Sequence, residues 1–273
     1  MKYIAETLYD LITYNNIPNG VHTYYCSKNN IELDFEIVTY KYPVILSNET
    51  NLYLGNTVAD TQMLILKFEN DLYIENGYIL TPPVRKKGFI IYCNNILNNK
   101  GTISMTARGA NTEGQNLYLY NNEMVPAIGG SPGTRAYYNI YSLSYASNGN
   151  PGINRGTGAG GLLVIFANKL VNNGIISSNG SAGGWAYRCS GGGSGGGSVN
   201  IFTKFLLKKG TVEAKGGTRG EATRGGGEKV YGGNGGNGTV TFTDCIIKQR
   251  INSNYYKDSY YQEHFDFNKL LEV

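Results

Sequence analysis

Histidine is almost missing from this chain: there are two, His22 and His264, near opposite ends. Neither sits in a metal-ligand motif, so a serine or cysteine triad and a zinc site both lack an essential member. Aspartate is absent between Asp71 and Asp244, which removes calcium-binding β-rolls, whose GGxGxD repeats need it. The four cysteines, Cys26, Cys93, Cys189 and Cys245, are widely spaced with no CxxC pair, so free thiols are expected and a bound metal is not. No Gly-Lys pair exists, which excludes a P-loop. No apolar run reaches the length of a membrane span, so no membrane insertion is expected. The first residues, MKYIAETLYDLITY, carry Glu6 and Asp10 and do not read as a signal peptide, so synthesis in a cytoplasm is expected.

Glycine and tyrosine are plentiful. There are 38 glycines, about double the usual share, and 23 tyrosines against 9 phenylalanines and one tryptophan, Trp185. Tyrosine suits half-buried strands and binding surfaces alike, since its ring is apolar and its tip polar. Charge is unevenly placed. Residues 129–238 hold eleven Lys or Arg against Glu213, Glu221 and Glu228, a balance of +8, while the rest stands at −4. A local basic field favours anionic partners, although solvated loop charges would look the same.

Near the start, Ile4, Leu8, Leu11 and Ile12 fall on one face of a helical period, which predicts a short helix within 1–20. From residue 63 the chain repeats itself in four stretches: 64–80, 89–105, 163–177 and 199–213. Each has an alternating aliphatic strand, a second aliphatic pair, a glycine, and an aliphatic residue two places on. The glycines are Gly77, Gly101, Gly174 and Gly210, followed by Ile79, Ile103, Ile176 and Val212. The last two copies match without gaps, 36 residues apart, and share a further glycine at Gly180 and Gly216. Each unit reads as two short strands joined by a turn. One unit cannot bury its own face, so stacking is expected, and the pattern predicts an all-β fold of solenoid-like repeat strands. Unrelated hairpins in a sandwich are the alternative.

Thirty-one of the glycines lie in 129–238, mostly between copies, as in GGGSGGGS (191–198) and GGNGGNG (232–238). Such composition suits a flexible linker. It suits equally well closely packed extended helices of the polyglycine II type, and the aromatics among the glycines favour that ordered form. The expected organisation is an N-terminal region at 1–60, first β repeats at 61–128, a glycine-rich β repeat region at 129–240 and a C-terminal cap at 241–273.

Catalytic chemistry is thin. GTGAGG (156–161) matches GxGxxG by chance, because a strand-like LLVIF follows it instead of a helix. Glu213, Glu221 and Glu228 could converge as in polysaccharide-cleaving β-helices, but scattered acids are more often surface charges. A non-enzymatic binding surface without a cofactor is the better reading. Trp185, Tyr187 and Arg188 precede one glycine run, and Arg219, Arg224, Lys229 and Tyr231 fall one repeat later. In a stack, both connections would project from one edge. Rings beside Arg and Lys suit sugars and anionic groups. The charge density is low for nucleic acid.

The text GTISMTARGANTEGQNLYLYNNEMVPAIGG (101–130) resembles glycine-rich tail-fibre or receptor-binding proteins of phages that infect clostridia. The glycine runs between IFANKLVNNGIISSNGSAGG and NIFTKFLLKKGTVEAKGG are similar to the same group, over about 88–240. The resemblance implies a virion tail, host-surface glycan recognition, tail baseplate partners and a homotrimer, with 1–60 as the attachment and oligomerisation region and 129–240 as the receptor-binding region. The face at Ile4, Leu8, Leu11 and Ile12 offers an association seam, unless it packs on the chain's own first strands or docks onto a baseplate partner. A surface-polysaccharide-degrading β-helix enzyme and a purely structural tail component are the alternatives.

Overall fold

The structure is a computed structural model that describes residues 1–13, 17–59, 61–110, 116–120, 123–126, 158–183, 185–186, 189–190, 192–223, 227, 229–246 and 249–252. The chain opens with β1 (Lys2–Ala5), α1 (Leu8–Thr13), β2 (Gly20–Cys26), β3 (Ile31–Tyr40) and β4 (Val44–Leu46). Next come β5 (Met63–Phe68), β6 (Leu72–Ile74), β7 (Ile79–Leu80), β8 (Gly88–Asn99), β9 (Thr102–Ser104), β10 (Asn116–Tyr120) and β11 (Glu123–Pro126). Then follow β12 (Leu162–Asn172), β13 (Ile175–Ser177), β14 (Trp185–Ala186), β15 (Cys189–Ser190), β16 (Ser198–Lys208) and β17 (Thr211–Glu213). The last are β18 (Glu221–Thr223), β19 (Lys229–Tyr231), β20 (Thr239–Asp244) and β21 (Gln249–Asn252). The fold is all-β, with one short helix among the described residues.

Repeat copies pair with one another. The main sheet runs β1-β2-β3-β5-β8-β12-β16-β20-β21, and every pairing from β3 to β20 is parallel. The β2–β3 and β20–β21 pairs at its ends are antiparallel. A second sheet, β17-β13-β9-β7, is parallel throughout. Each repeat therefore contributes a long strand to one sheet and a short strand to the other, and its own two strands do not pair. Strands covered on both faces read as near-continuous apolar runs, and MLILKF of β5 is buried at every position.

The 36-residue offset is the register up to Leu170 opposite Leu206, where a bulge sets Val171 opposite Lys208, and again in the second sheet: Val164 faces Asn200, Phe166 faces Phe202 and Ile176 faces Val212. One alignment is corrected. Ile103 pairs with Leu80, not Ile79; Leu80 is buried and Ile79 is exposed. Gly77, at φ +86°, makes the turn one residue early, and Tyr78 stands where Gly101 stands in the next copy: Thr102 N–H donates to Tyr78 O, and Ile175 N–H to Gly101 O.

Alternation splits the core between the faces of the main sheet. Leu64, Leu66, Phe89, Ile91, Leu163 and Ile165 pack with Leu80, Ile103 and Ile176 of the second sheet. Ile65, Ile90, Val164, Phe166 and Phe202 pack on the other side with α1. The helix starts at a capping box: Thr7 Oγ1 accepts from Asp10 N–H, and the Asp10 carboxylate accepts from Thr7 N–H and Oγ1–H. Leu8, Leu11 and Ile12 are fully buried in the chain's own core, while Ile4 lies exposed on β1. The helical face is thus already covered and offers no association seam, because the chain's own sheet supplies the apolar partner.

The glycine-rich segments are bonded to each other. Gly160 N–H donates to Gly195 O, Gly193 to Gly233 O, Gly196 to Gly236 O, Gly217 to Ser194 O and Gly235 to Gly217 O, at 2.7–3.0 Å. Gly180 donates to Lys215 O and Gly238 to Ala214 O. A flexible linker has no such partners. Residues 253–273 of the expected C-terminal cap lie outside the described residues.

Candidate binding edge

Two hairpins leave the glycine segments on the same side and lie against each other. In the first, β14 and β15 pair antiparallel, with Trp185 opposite Ser190. In the second, β18 and β19 pair with Glu221 opposite Tyr231 and Thr223 opposite Lys229. The β15 strand packs on both β18 and β19. At the turn of the second hairpin, Gly227 takes φ +83° in open space.

The second hairpin holds three of the residues expected at the edge. The Arg219 guanidinium stacks over the Tyr231 ring at 4.1 Å. Arg219 N–H donates to Asn234 Oδ1 at 2.8 Å, which ties this strand to the last glycine run. Lys229 forms an ion pair with Glu221, and that hydrogen bond pushes the ammonium's pKa up. Lys229 is therefore already matched by a carboxylate, which reduces the free positive charge. Trp185 lies in β14, and its backbone is placed beside the second hairpin. Tyr187, Arg188 and Arg224 fall outside the described residues.

The three acids do not meet among the described residues. Glu213 bonds Lys215 and Asn179, Glu221 bonds Lys229, and Glu228 is not described. The Glu213 pKa is lowered by Lys215 first, with burial opposing and Asn179 adding to the lowering. The folded pKa is below the unfolded one, so this stabilisation is present at neutral pH and is lost as pH falls below the ordinary glutamate range. In denaturant titrations, Glu213→Gln should show a shallower loss of stability between about pH 5 and pH 3 than the parent; identical slopes would count against the pairing.

His22 is structural. Its Nε2 lies 2.8 Å from Pro18 O, and its ring packs edge-on to Tyr3 and beside Phe35. Cys26, Cys93 and Cys245 are free thiols. Among the described residues no group of three or more His, Cys, Asp or Glu could hold a metal, and no helix is long and apolar enough to cross a membrane.

Two features escaped the sequence reading. One is a cleft of about 120 Å³ on the α1 side of the main sheet, where Tyr9, Tyr92 and Tyr120 stand beside Asn94, Asn168 and Lys204. Tyr9 meets Tyr120 edge-on at 5.0 Å, and burial pushes the Tyr92 phenol up to about 12. The strand alternation around IIYCNN puts Tyr92 on that face, but the neighbours come from distant segments. The other is a buried charged group around Glu36 and Lys86, described below. Comparisons with known proteins identify no relative: no family model, curated protein or solved structure matches this chain.

Proposed function

We propose that this chain is a non-enzymatic receptor-binding protein of a phage-type tail that recognises a host cell-surface glycan. The glycine segments form a polyglycine II-like scaffold on a stacked β-solenoid, and the two hairpins are the tip that meets the receptor. The observation that carries this reading is the adjacency of the β14–β15 and β18–β19 hairpins, one with the single Trp and the other with Arg219 stacked on Tyr231. Stacked rings beside guanidinium groups suit sugar faces and anionic substituents, so the expected ligand is an anionic wall polymer. Baseplate proteins and assembly as a homotrimer belong to the same proposal, with the trimer contacts made by surfaces other than the α1 face.

The test is binding of purified variants to whole cells or cell walls. Trp185→Ala should weaken binding by roughly 5- to 150-fold, matching about 1–3 kcal/mol for a stacked ring. Arg188→Ala, Arg219→Ala and Arg224→Ala should each cost less, about 0–1 kcal/mol, and moderate salt should weaken all of them. Unchanged binding in all four folded variants would sink the proposed tip. Release of soluble sugar from the same walls would instead favour a polysaccharide-cleaving enzyme.

A further inference from the structure

Glu36 sits inside the protein, 3% exposed, although Glu32 and Asp34 on the same face of β3 are exposed. Its carboxylate accepts the Tyr53 hydroxyl at 2.7 Å, the Asn56 N–H at 2.9 and 3.1 Å to its two oxygens, and Gln62 Nε2 at 3.2 Å. Lys86, just before β8, is fully buried. Its Nζ lies 2.9 Å from Asn56 Oδ1 and 2.9 Å from Val58 O. Asn56 Oδ1 also accepts the Val58 N–H at 3.0 Å.

Three features of an acyl-transfer site therefore coincide. A buried amine touches a side-chain amide. The amide oxygen is already held by a backbone N–H, the kind of donor that stabilises a developing oxyanion. A buried carboxylate fixes the backbone of the residue that carries the amide. Burial lowers the Lys86 pKa, partly offset by Glu36, which favours the neutral, nucleophilic amine.

We propose that Lys86 and Asn56 join in a self-catalysed isopeptide bond, with Glu36 as positioning group and proton relay. The Lys86 ammonium must first lose a proton, and Glu36, the carboxylate whose charge acts on it, is the final acceptor. Neutral Nζ then attacks Asn56 Cγ, and negative charge gathers on Oδ1 against the Val58 N–H. The Nζ–Cγ bond forms and the Cγ–Nδ2 bond breaks. Of the three hydrogens on Nζ, one stays in the new amide and two depart with Nδ2, which leaves as ammonium and returns Glu36 to its carboxylate. One amide replaces another, so nothing is oxidised or reduced and no co-reactant is needed. Contact geometry supplies the rate, since oriented intramolecular partners react as if at very high concentration.

The bond would staple the stretch between β4 and β5, which has little regular structure, to the residue leading into β8. Cys26, Cys93 and Cys245 form no disulfide, so this bond would be a covalent lock of a different chemistry. The lock is independent of what the hairpins bind.

Mass spectrometry of the purified, folded chain decides. The protein should be about 17 Da lighter than its sequence mass, the loss of one ammonia. Protease digestion should yield a branched peptide joining Asn56 to Lys86, a result that needs no variant. Lys86→Ala and Asn56→Ala should each run at their own full sequence mass. Glu36→Gln, close in shape but unable to relay a proton, should also run at full mass while keeping the parent's circular dichroism. A folded parent at full sequence mass, or separate unlinked peptides carrying intact Asn56 and Lys86, would overturn the proposal.

Discussion

Gly235→Ala should lower the stability of the protein by about 3 kcal/mol or more, while Gly236→Ala next to it should change stability by less than about 0.5 kcal/mol. A methyl group on Gly235 would be driven into the backbone carbonyl of Ser194, whereas one on Gly236 meets nothing within 4 Å. Backbone cannot swing aside as a long side chain can, so the glycine segments would have to separate and lose their lateral hydrogen bonds. The same contrast recurs one repeat earlier. Gly196→Ala would clash with Ala214 O, but a methyl on Gly195 finds its nearest neighbour, Gly236 O, at a comfortable 3.8 Å. Urea unfolding of the four variants measures the difference. In a flexible linker all four would be silent or slightly stabilising, because alanine only restricts the unfolded chain.

Asn172→Leu should cost about 3 kcal/mol despite nearly conserving volume. Asn172 is fully buried where β12 turns toward β13. Its Nδ2 donates to Lys209 O at 2.6 Å and Thr211 O at 3.2 Å in the following copy. Its Oδ1 accepts Asn99 Nδ2 at 2.8 Å from the preceding copy, and Asn99 also donates to Ile175 O at 3.2 Å. Leucine would take the donor from two carbonyls and the acceptor from the fully buried Asn99 amide. The exposed neighbour Asn173 is the control, and Asn173→Ala should stay within about 0.5 kcal/mol. Equal effects at the two positions would remove the asparagine ladder as a device that joins the copies.

Repetition made much of this fold legible. LVIFANKLVNNGIIS and VNIFTKFLLKKGTVE differ by a fixed offset, and that offset is the strand register. Pairing direction was not legible, because alternation looks the same in a hairpin and between stacked copies. Alignment on glycine failed at Gly77, where the break between β5 and β6 lets the turn come a residue early. The face at Leu8, Leu11 and Ile12 was correctly apolar, but its period does not say whether the partner is another chain or the chain's own sheet. Strand order was not legible either: β3, from the N-terminal region, pairs with β5 in parallel within one sheet.

At the edge, Trp185, Arg219, Lys229 and Tyr231 were singled out separately, on two connections expected to share one edge. In the folded chain the two hairpins are adjacent, Arg219 covers the Tyr231 ring, and Lys229 is matched by Glu221 across the same hairpin. Nothing marked that pairing beforehand, since the two residues lie on opposite arms of the hairpin. Glu36, Asn56 and Lys86 carry no motif at all. They meet because β3, the irregular stretch after β4 and the run into β8 converge, which no local pattern encodes. Glycine is the extreme case. Without a side chain it leaves no trace of which carbonyl it faces, so Gly235 and Gly236 read alike and differ only in the packed chain.

Amide hydrogen exchange at the glycine segments tests the central claim most directly, that these runs are an ordered scaffold on which the hairpins are mounted. The amides of Gly160, Gly193, Gly196, Gly217, Gly235 and Gly238 each donate to a carbonyl of another segment. They should exchange as slowly as the amides of β12 and β16, opening only with global unfolding. Exchange at the rate of an unstructured peptide, with β12 and β16 still protected, would contradict the account and return these glycines to the role of a linker.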